Sequence, residues 1–244
     1  MSERVRTAVV AVGGNSLIID AEHESIHDQY EAAAQSSQYV ADMVEAGVTV
    51  ILTHGNGPQV GFILRRSGLA KGVVPEVPVD YADADTQGAI GYMFQRSLYN
   101  EFKRRRLARK VVTVVTQVLV DRDDPALSNP SKPIGGFMEE AEAKRREAEM
   151  SWAVVEDAGR GWRRVVASPL PKEVVELDTV KALINAGVVV ITVGGGGIPV
   201  IDKGNGDYIG IAAVIDKDYA SSLLAREIKA DLLIVGQYQG YHHA

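Results

Sequence analysis

The sequence predicts an α/β fold, with an open, mostly parallel sheet between helix layers. The first observation behind this is five apolar, β-branched runs: Thr7–Val12, Val48–Thr53, Val111–Val120, Val188–Val193 and Asp231–Val235. They are continuous rather than alternating, the pattern of strands buried on both faces in helix-covered parallel sheets. The second is helical periodicity between the runs, which makes strands and helices alternate.

The helices follow in order. Tyr39, Val40, Met43 and Val44 recur at three- and four-residue spacing, and Gly47 closes that segment. Ile90, Met93, Phe94, Leu98 and Phe102 form a second stripe. Val174, Val175, Leu177, Val180, Leu183 and Ile184 form a third, ended by Gly187, and Tyr219, Leu223, Leu224 and Ile228 a fourth. Residues 121–171 break the rhythm. Pro125, Pro130 and Pro133 open the stretch, Pro169 and Pro171 close it, and it holds both tryptophans and a charged helix, Glu139–Met150. Loops this long are uncommon unless they do something, so the stretch is expected to be a small protruding lid on a single domain spanning 1–244.

Bulk properties narrow the function. The chain has 244 residues, 26 basic against 32 acidic, for a net charge of −6. This balance argues against a nucleic-acid binder. The basic runs Lys103–Arg106 and Lys144–Arg146 read as solvated helix faces. Cysteine is absent, which excludes disulfides, thiolate catalysis and Cys-ligated zinc. The apolar run near Met1 is too short for a signal sequence, and none approaches the ~18 residues of a membrane span, so no membrane partner and a cytoplasmic location are expected.

Polar motifs follow the strands. Gly13-Gly14-Asn15 follows the first, His54-Gly55-Asn56-Gly57-Pro58-Gln59 the second, Thr116-Gln117 and Asp121 close the third, and Gly194–Gly197 follows the fourth. Carboxyl ends of parallel strands share one edge, so these motifs are expected to converge on one crevice. Glycine lets backbone N–H groups crowd around an anion, and Gly55–Gly57 precedes a helix whose positive end attracts one. Gly195 and Gly196 are candidates in the last run. No P-loop string occurs, and Val60 stands where a dinucleotide fingerprint needs its third glycine.

Two lysines stand out. Lys132 lies in Asn129-Pro-Ser-Lys-Pro-Ile-Gly135 at the lid root, and Lys217 lies between Asp216 and Asp218 at a helix start. A lysine facing the positive end of a helix invites an anionic partner, and phosphoryl transfer is mostly positioning and electrostatics. His54 reads as structural. His23 and His27, four apart, lack carboxylates to complete a metal site, and His242 and His243 are terminal.

Taken in order, these motifs resemble carbamate kinase, of the amino acid kinase superfamily. The matching strings include Val10-Ala-Val-Gly-Gly-Asn15, Thr53-His-Gly-Asn-Gly-Pro-Gln-Val-Gly61, Thr86-Gln-Gly-Ala-Ile-Gly-Tyr92, Asn129–Gly135, Glu156-Asp-Ala-Gly-Arg-Gly-Trp-Arg-Arg164 and Ala213-Val-Ile-Asp-Lys-Asp218. The resemblance implies the fold of that superfamily, a homodimer, a place in arginine metabolism, and reversible phosphoryl transfer between ATP and carbamate, with Mg²⁺ carried on the ATP phosphates rather than by protein ligands. It implies that Gly13, Gly14 and Asn15 hold the phosphoryl group and that Gly55, Asn56 and Gly57 hold carbamate. Lys132 would approach the phosphate oxygens and Lys217 would neutralise transition-state charge. Asp218 would orient that lysine or the metal's waters. Carbamate is already anionic, so no general base is required. After Val235 the sequence departs from the family pattern, and the resemblance implies that the domain is C-terminally incomplete and lacks most of the adenine pocket. Two alternatives stand beside it. A sister kinase would act on another carboxylate or on a nucleoside monophosphate, which a substrate panel separates. An inactive binding or regulatory protein would show no turnover.

Overall fold

The computed structural model describes residues 6–18, 20, 22–157 and 159–236. The side chain of Asn15, and His242 and His243, lie outside them. The main sheet has five strands, all parallel: β1 (Thr7–Val12), β2 (Thr49–His54), β3 (Lys110–Thr113), β9 (Val188–Ile191) and β12 (Leu232–Gly236), in the order β12-β1-β2-β9-β3. Its two faces are both apolar, as the continuous runs predict. Val50, Leu52 and Ile191 pack beneath α1 (Ile26–Glu45) and α3 (Val79–Arg104), together with Phe94, Leu98 and Phe102. Val9, Ile51 and Val190 face the other way, toward α5 (Leu177–Asn185) and α6 (Lys217–Glu227).

The helix starts are locally encoded. Ser25 caps α1 and accepts from the Asp28 N–H, while Asp28 takes the Ser25 N–H in return. Such a reciprocal cap is worth roughly 1 kcal/mol. The basic run at 103–106 is not merely solvated. Arg105 reaches Glu101 on its own helix and Asp42 and Glu45 on α1, tying the end of α3 to its neighbour.

The run Val111–Val120 is two strands rather than one. β3 ends at Thr113, and β4 (Gln117–Val120) enters a second sheet ordered β11-β10-β4-β8, where β8 is Pro171–Val174, β10 Ile198–Asp202 and β11 Tyr208–Gly210. Gln87 on α3 is the physical reason. Its carboxamide accepts the Thr116 N–H at 2.7 Å, withdrawing that donor from the first sheet, and donates to the Thr116 carbonyl at 3.0 Å, which also takes the Ile198 N–H of the second sheet at 2.9 Å. The third helical stripe is shorter than its periodicity predicts, because Val174 belongs to β8.

Between β4 and β8 lies a separate unit. β5 (Lys132–Met138), β7 (Trp162–Val166) and β6 (Ala153–Glu156) form an antiparallel sheet carrying α4 (Glu140–Met150). It rests on α2 (Gly57–Leu69), where Gly61 passes so close to Gly135 that a Cβ on Gly61 would overlap the Gly135 backbone. Among the described residues no helix is long and apolar enough to cross a membrane.

Candidate active site

The carboxyl ends of β1, β2 and β9 open on one edge, beside the start of α6. A cavity of about 190 Å³ lies there, lined by Gly13, Gly14, Gly55, Asn56, Gly57, Lys132, Gly195, Ile215, Asp216, Lys217 and Asp218. Three of the four strand-end motifs therefore meet. The Thr116-Gln117 segment does not reach the cavity. Thr116 is buried against Thr192, and Asp121 pairs with Lys172 at the surface. Gly196 also stays out of the lining. Its Cα passes beneath the Ile215 carbonyl, and a Cβ there would fall 2.5 Å from that oxygen.

The two glycine turns interlock. A Cβ on Gly55 would fall 2.6 Å from the Gly14 nitrogen and 3.1 Å from Lys217 Cδ, and one on Gly14 would fall 2.9 Å from the Asn56 nitrogen. Only residues without a Cβ allow this approach. The amides divide into two sets. The Gly55 N–H donates to Val12 and the Gly13 N–H to Gly236, both prolonging the sheet. Those of Gly14, Asn56 and Gly57 have no protein acceptor among the described residues, and Gly57 is the first residue of α2, whose cap residue Asn56 makes no side-chain capping bond. The open positive end of a helix thus faces the cavity.

Asn56 points its side chain away from these amides and into the protein. It donates to Asp83 and to Thr86, each at 2.9 Å, and Gly195, in a left-handed turn, lies directly against it. Asp83 is fully buried, with one carboxyl oxygen unpartnered. Burial pushes its pKa well up, and Asp80 adds to this, against the Asn56 hydrogen bond and Lys132. Neither Asp83 nor Thr86 stood out in the sequence as a support for Asn56, since the pair lies on a helix 27 and 30 residues downstream.

Both lysines enter the cavity. Lys132 Nζ lies 2.9 Å from Asp216 Oδ2, and Lys217 Nζ lies 2.5 Å from Asp218 Oδ1. Asp216 is the residue that sequence reasoning passed over. It caps α6 by accepting the Asp218 N–H and holds Lys132 across 84 residues. A carboxylate just before a helix start is the N-cap signal that marks it. Burial pushes the Asp216 carboxyl up, but its bonds to Lys132 and the Asp218 N–H outweigh this and hold it below the usual range.

His54 lies beneath the site, stacked on Phe94, with Nδ1 3.1 Å from the Gly55 carbonyl. Burial pulls its pKa down from 6.5 to about 4. As pH falls through that window the unfolded chain takes a proton that the folded one refuses, and stability is lost. The loss reaches roughly 3 kcal/mol near pH 4, at about 1.4 kcal/mol per pH unit. Urea midpoints at pH 7.5 and 4.5 should show it, and His54→Gln should flatten it. An equal loss in that variant would place the acid sensitivity elsewhere. His23 and His27 are exposed and pair with Asp20 and Glu31 respectively.

A phosphotransferase framework, with strand-end glycine turns, a helix end and two lysines around one cleft, is what this geometry describes. The chain belongs to the amino acid kinase family, whose family model matches residues 6–237. Its relatives include carbamate kinases. It is 46% identical over 237 residues to the carbamate kinase of Pyrococcus horikoshii, covering 96% of this chain and 74% of that one. It is 50% identical to the carbamate kinase-like protein YahI of Escherichia coli, covering 93% and 72%. Carbamate kinase from Giardia lamblia bound to AMP-PNP superimposes with a TM-score of 0.87 at 42% identity, covering 97% of this chain and 75% of the other. The same enzyme bound to citric acid gives 0.90.

Proposed function

We propose that this protein transfers a phosphoryl group reversibly between ATP and carbamate. The observation that carries the reading is the 190 Å³ cavity in which three open amides, the start of α2 and two lysines converge. Charge on a transferred phosphoryl group spreads over its oxygens, and such a set is placed to hold it. Kinship with carbamate kinases supplies the acceptor, and the AMP-PNP complex of one of them supports ATP as the donor.

In this proposal the Gly14 turn, with Gly13 and Asn15, takes the phosphoryl group, while Gly55, Asn56 and Gly57 take carbamate and Gly195 backs them. Lys132 contacts phosphate oxygens, Lys217 neutralises charge as it moves, and Asp218 orients Lys217. Among the described residues no group of three or more acids and histidines is spaced to hold a metal. The half-exposed Asp218 carboxylate at the cavity mouth instead suits a hydrated Mg²⁺ arriving on ATP, since that ion keeps several of its waters. A homodimer belongs to the same proposal. The test is ATP formation from carbamoyl phosphate and ADP, with acetylglutamate, aspartate and a nucleoside monophosphate as rival acceptors in the forward direction. Turnover confined to a rival would overturn the substrate, and none at all would overturn the reaction.

The unit at 132–166 is proposed to act as a lid, because it brings Lys132 to the cavity while resting on α2. Protease should cut within 121–171 before it cuts the main sheet, and ATP with a carbamate mimic should slow the cutting several-fold. Gly61→Ala should raise the cutting rate, since the added methyl forces β5 off α2. Cleavage elsewhere that ignores ligand would count against a lid.

A further inference from the structure

A chamber of about 60 Å³ lies between α2 and the 132–166 unit, away from the lysines. Three arginines line it, Arg65 on α2, Arg146 on α4 and Arg164 on β7. One carboxylate, Glu142, shares it and lies 3.3 Å from Arg146. Trp152 lines it too, with Arg164 4.5 Å and Arg146 5.4 Å from its ring centroid. The sequence singled out Lys144–Arg146 as a solvated face, yet the Arg146 side chain is only 14% exposed, and its buried Nε has no partner among the described residues.

Arg164 is the more telling group. No carboxylate or hydrogen-bond acceptor engages it among the described residues, and its contact with Trp152 is through the ring face. Burial alone draws its pKa down to about 10. A desolvated cation is ordinarily paired, and a planar guanidinium is shaped to grip an oxyanion with two parallel hydrogen bonds. An aromatic face softens the charge but offers no acceptor.

We propose that this chamber is a second binding site, for a compact oxyanion, a carboxylate or a phosphate, held by Arg164 and Arg146 beside Trp152 with Arg65 closing the other wall. The volume admits a group of only a few heavy atoms and excludes a nucleotide. Its walls belong to both units, β7 and α4 on one side and α2 on the other. An anion bound there therefore ties the 132–166 unit to the main body, and its concentration sets how freely that unit opens. The site stands independently of the reaction proposed above.

The two tryptophans make the test direct. In a Trp162→Phe background Trp152 is the sole indole. Inorganic phosphate and acetate are titrated separately at constant ionic strength, following its emission. A saturable change with either probe is expected, and the stronger one names the anion class. Arg164→Gln should weaken that binding at least tenfold, and Arg164→Lys should weaken it too, because it keeps the charge and loses the fork. Lys217→Ala, in the other cavity, should leave it unchanged. The unfolding midpoint of Arg164→Gln should match or exceed the parent, since a partly buried cation with no protein acceptor among the described residues is removed. No saturable change, a change surviving Arg164→Gln, or one abolished by Lys217→Ala would each overturn the proposal.

Discussion

Lys217→Ala should lower kcat by roughly 10³-fold or more while the protein remains folded, the scale on which a cation placed at a transferred phosphoryl group acts. The Lys217 side chain is only 13% exposed, its stem lies along Gly55 and Gly13, and its ammonium meets Asp218 at 2.5 Å. This tail belongs to the cavity wall rather than to solvent, although no core cluster depends on it. The unfolding midpoint should therefore hardly move. Lys217→Arg is a sharper probe. Its guanidinium would preserve charge, but the planar fork does not fit the point-charge position that the bare glycines leave open. It should recover little. Near-parental turnover in Lys217→Ala, measured in both directions, would remove Lys217 from the mechanism, and a rise confined to KM would reduce it to a binding contact.

Gly55→Val should abolish anion binding in the cavity, weakening phosphate or carbamoyl phosphate by about 10²-fold or more. Its Cβ has no place to go, with backbone on one side and the Lys217 stem on the other. Relief requires the two glycine turns to part, which also displaces the Asn56 and Gly57 amides. Gly14→Val should act alike from the opposite turn, where the obstacle is the Asn56 nitrogen. Gly88→Ala provides the contrast. It lies exposed within α3 with open space around it, so the same class of change should stabilise by about 0.5–1 kcal/mol and leave affinity alone. Calorimetric titration of all three decides the matter. Unchanged affinity in Gly55→Val would mean that the anion binds somewhere other than these turns.

Much of the site was legible because its chemistry follows from local backbone needs. Glycine pairs directly after apolar runs imply tight turns at a sheet edge, and parallel topology gathers them. Lys132 and Lys217 were legible as charges in unusual settings, one in a proline-bounded string and one at a helix start. What stayed hidden is held by contacts across long sequence separations. Asp216 could be recognised as a cap, but not as the anchor of Lys132. Asp83 and Thr86 support Asn56 only because α3 crosses behind β2, and Gly196 leaves the cavity because it packs beneath Ile215.

Taken alone, the sequence determined the layers. Continuous β-branched runs require cover on both faces, and helical stripes between them supply it, so a parallel sheet between helices follows from solvent exclusion. It also determined where backbone must pass without a Cβ. Only the tertiary structure decided that Val111–Val120 divides between two sheets, because the carboxamide that interrupts it comes from Gln87 on another element. It alone decided which amides remain open, since the Gly55 and Gly13 N–H groups go to Val12 and Gly236 while their neighbours do not. And it alone set Arg146 and Arg164 around one indole, because burial of a charge is a property of everything packed around it, which no run of neighbouring residues specifies.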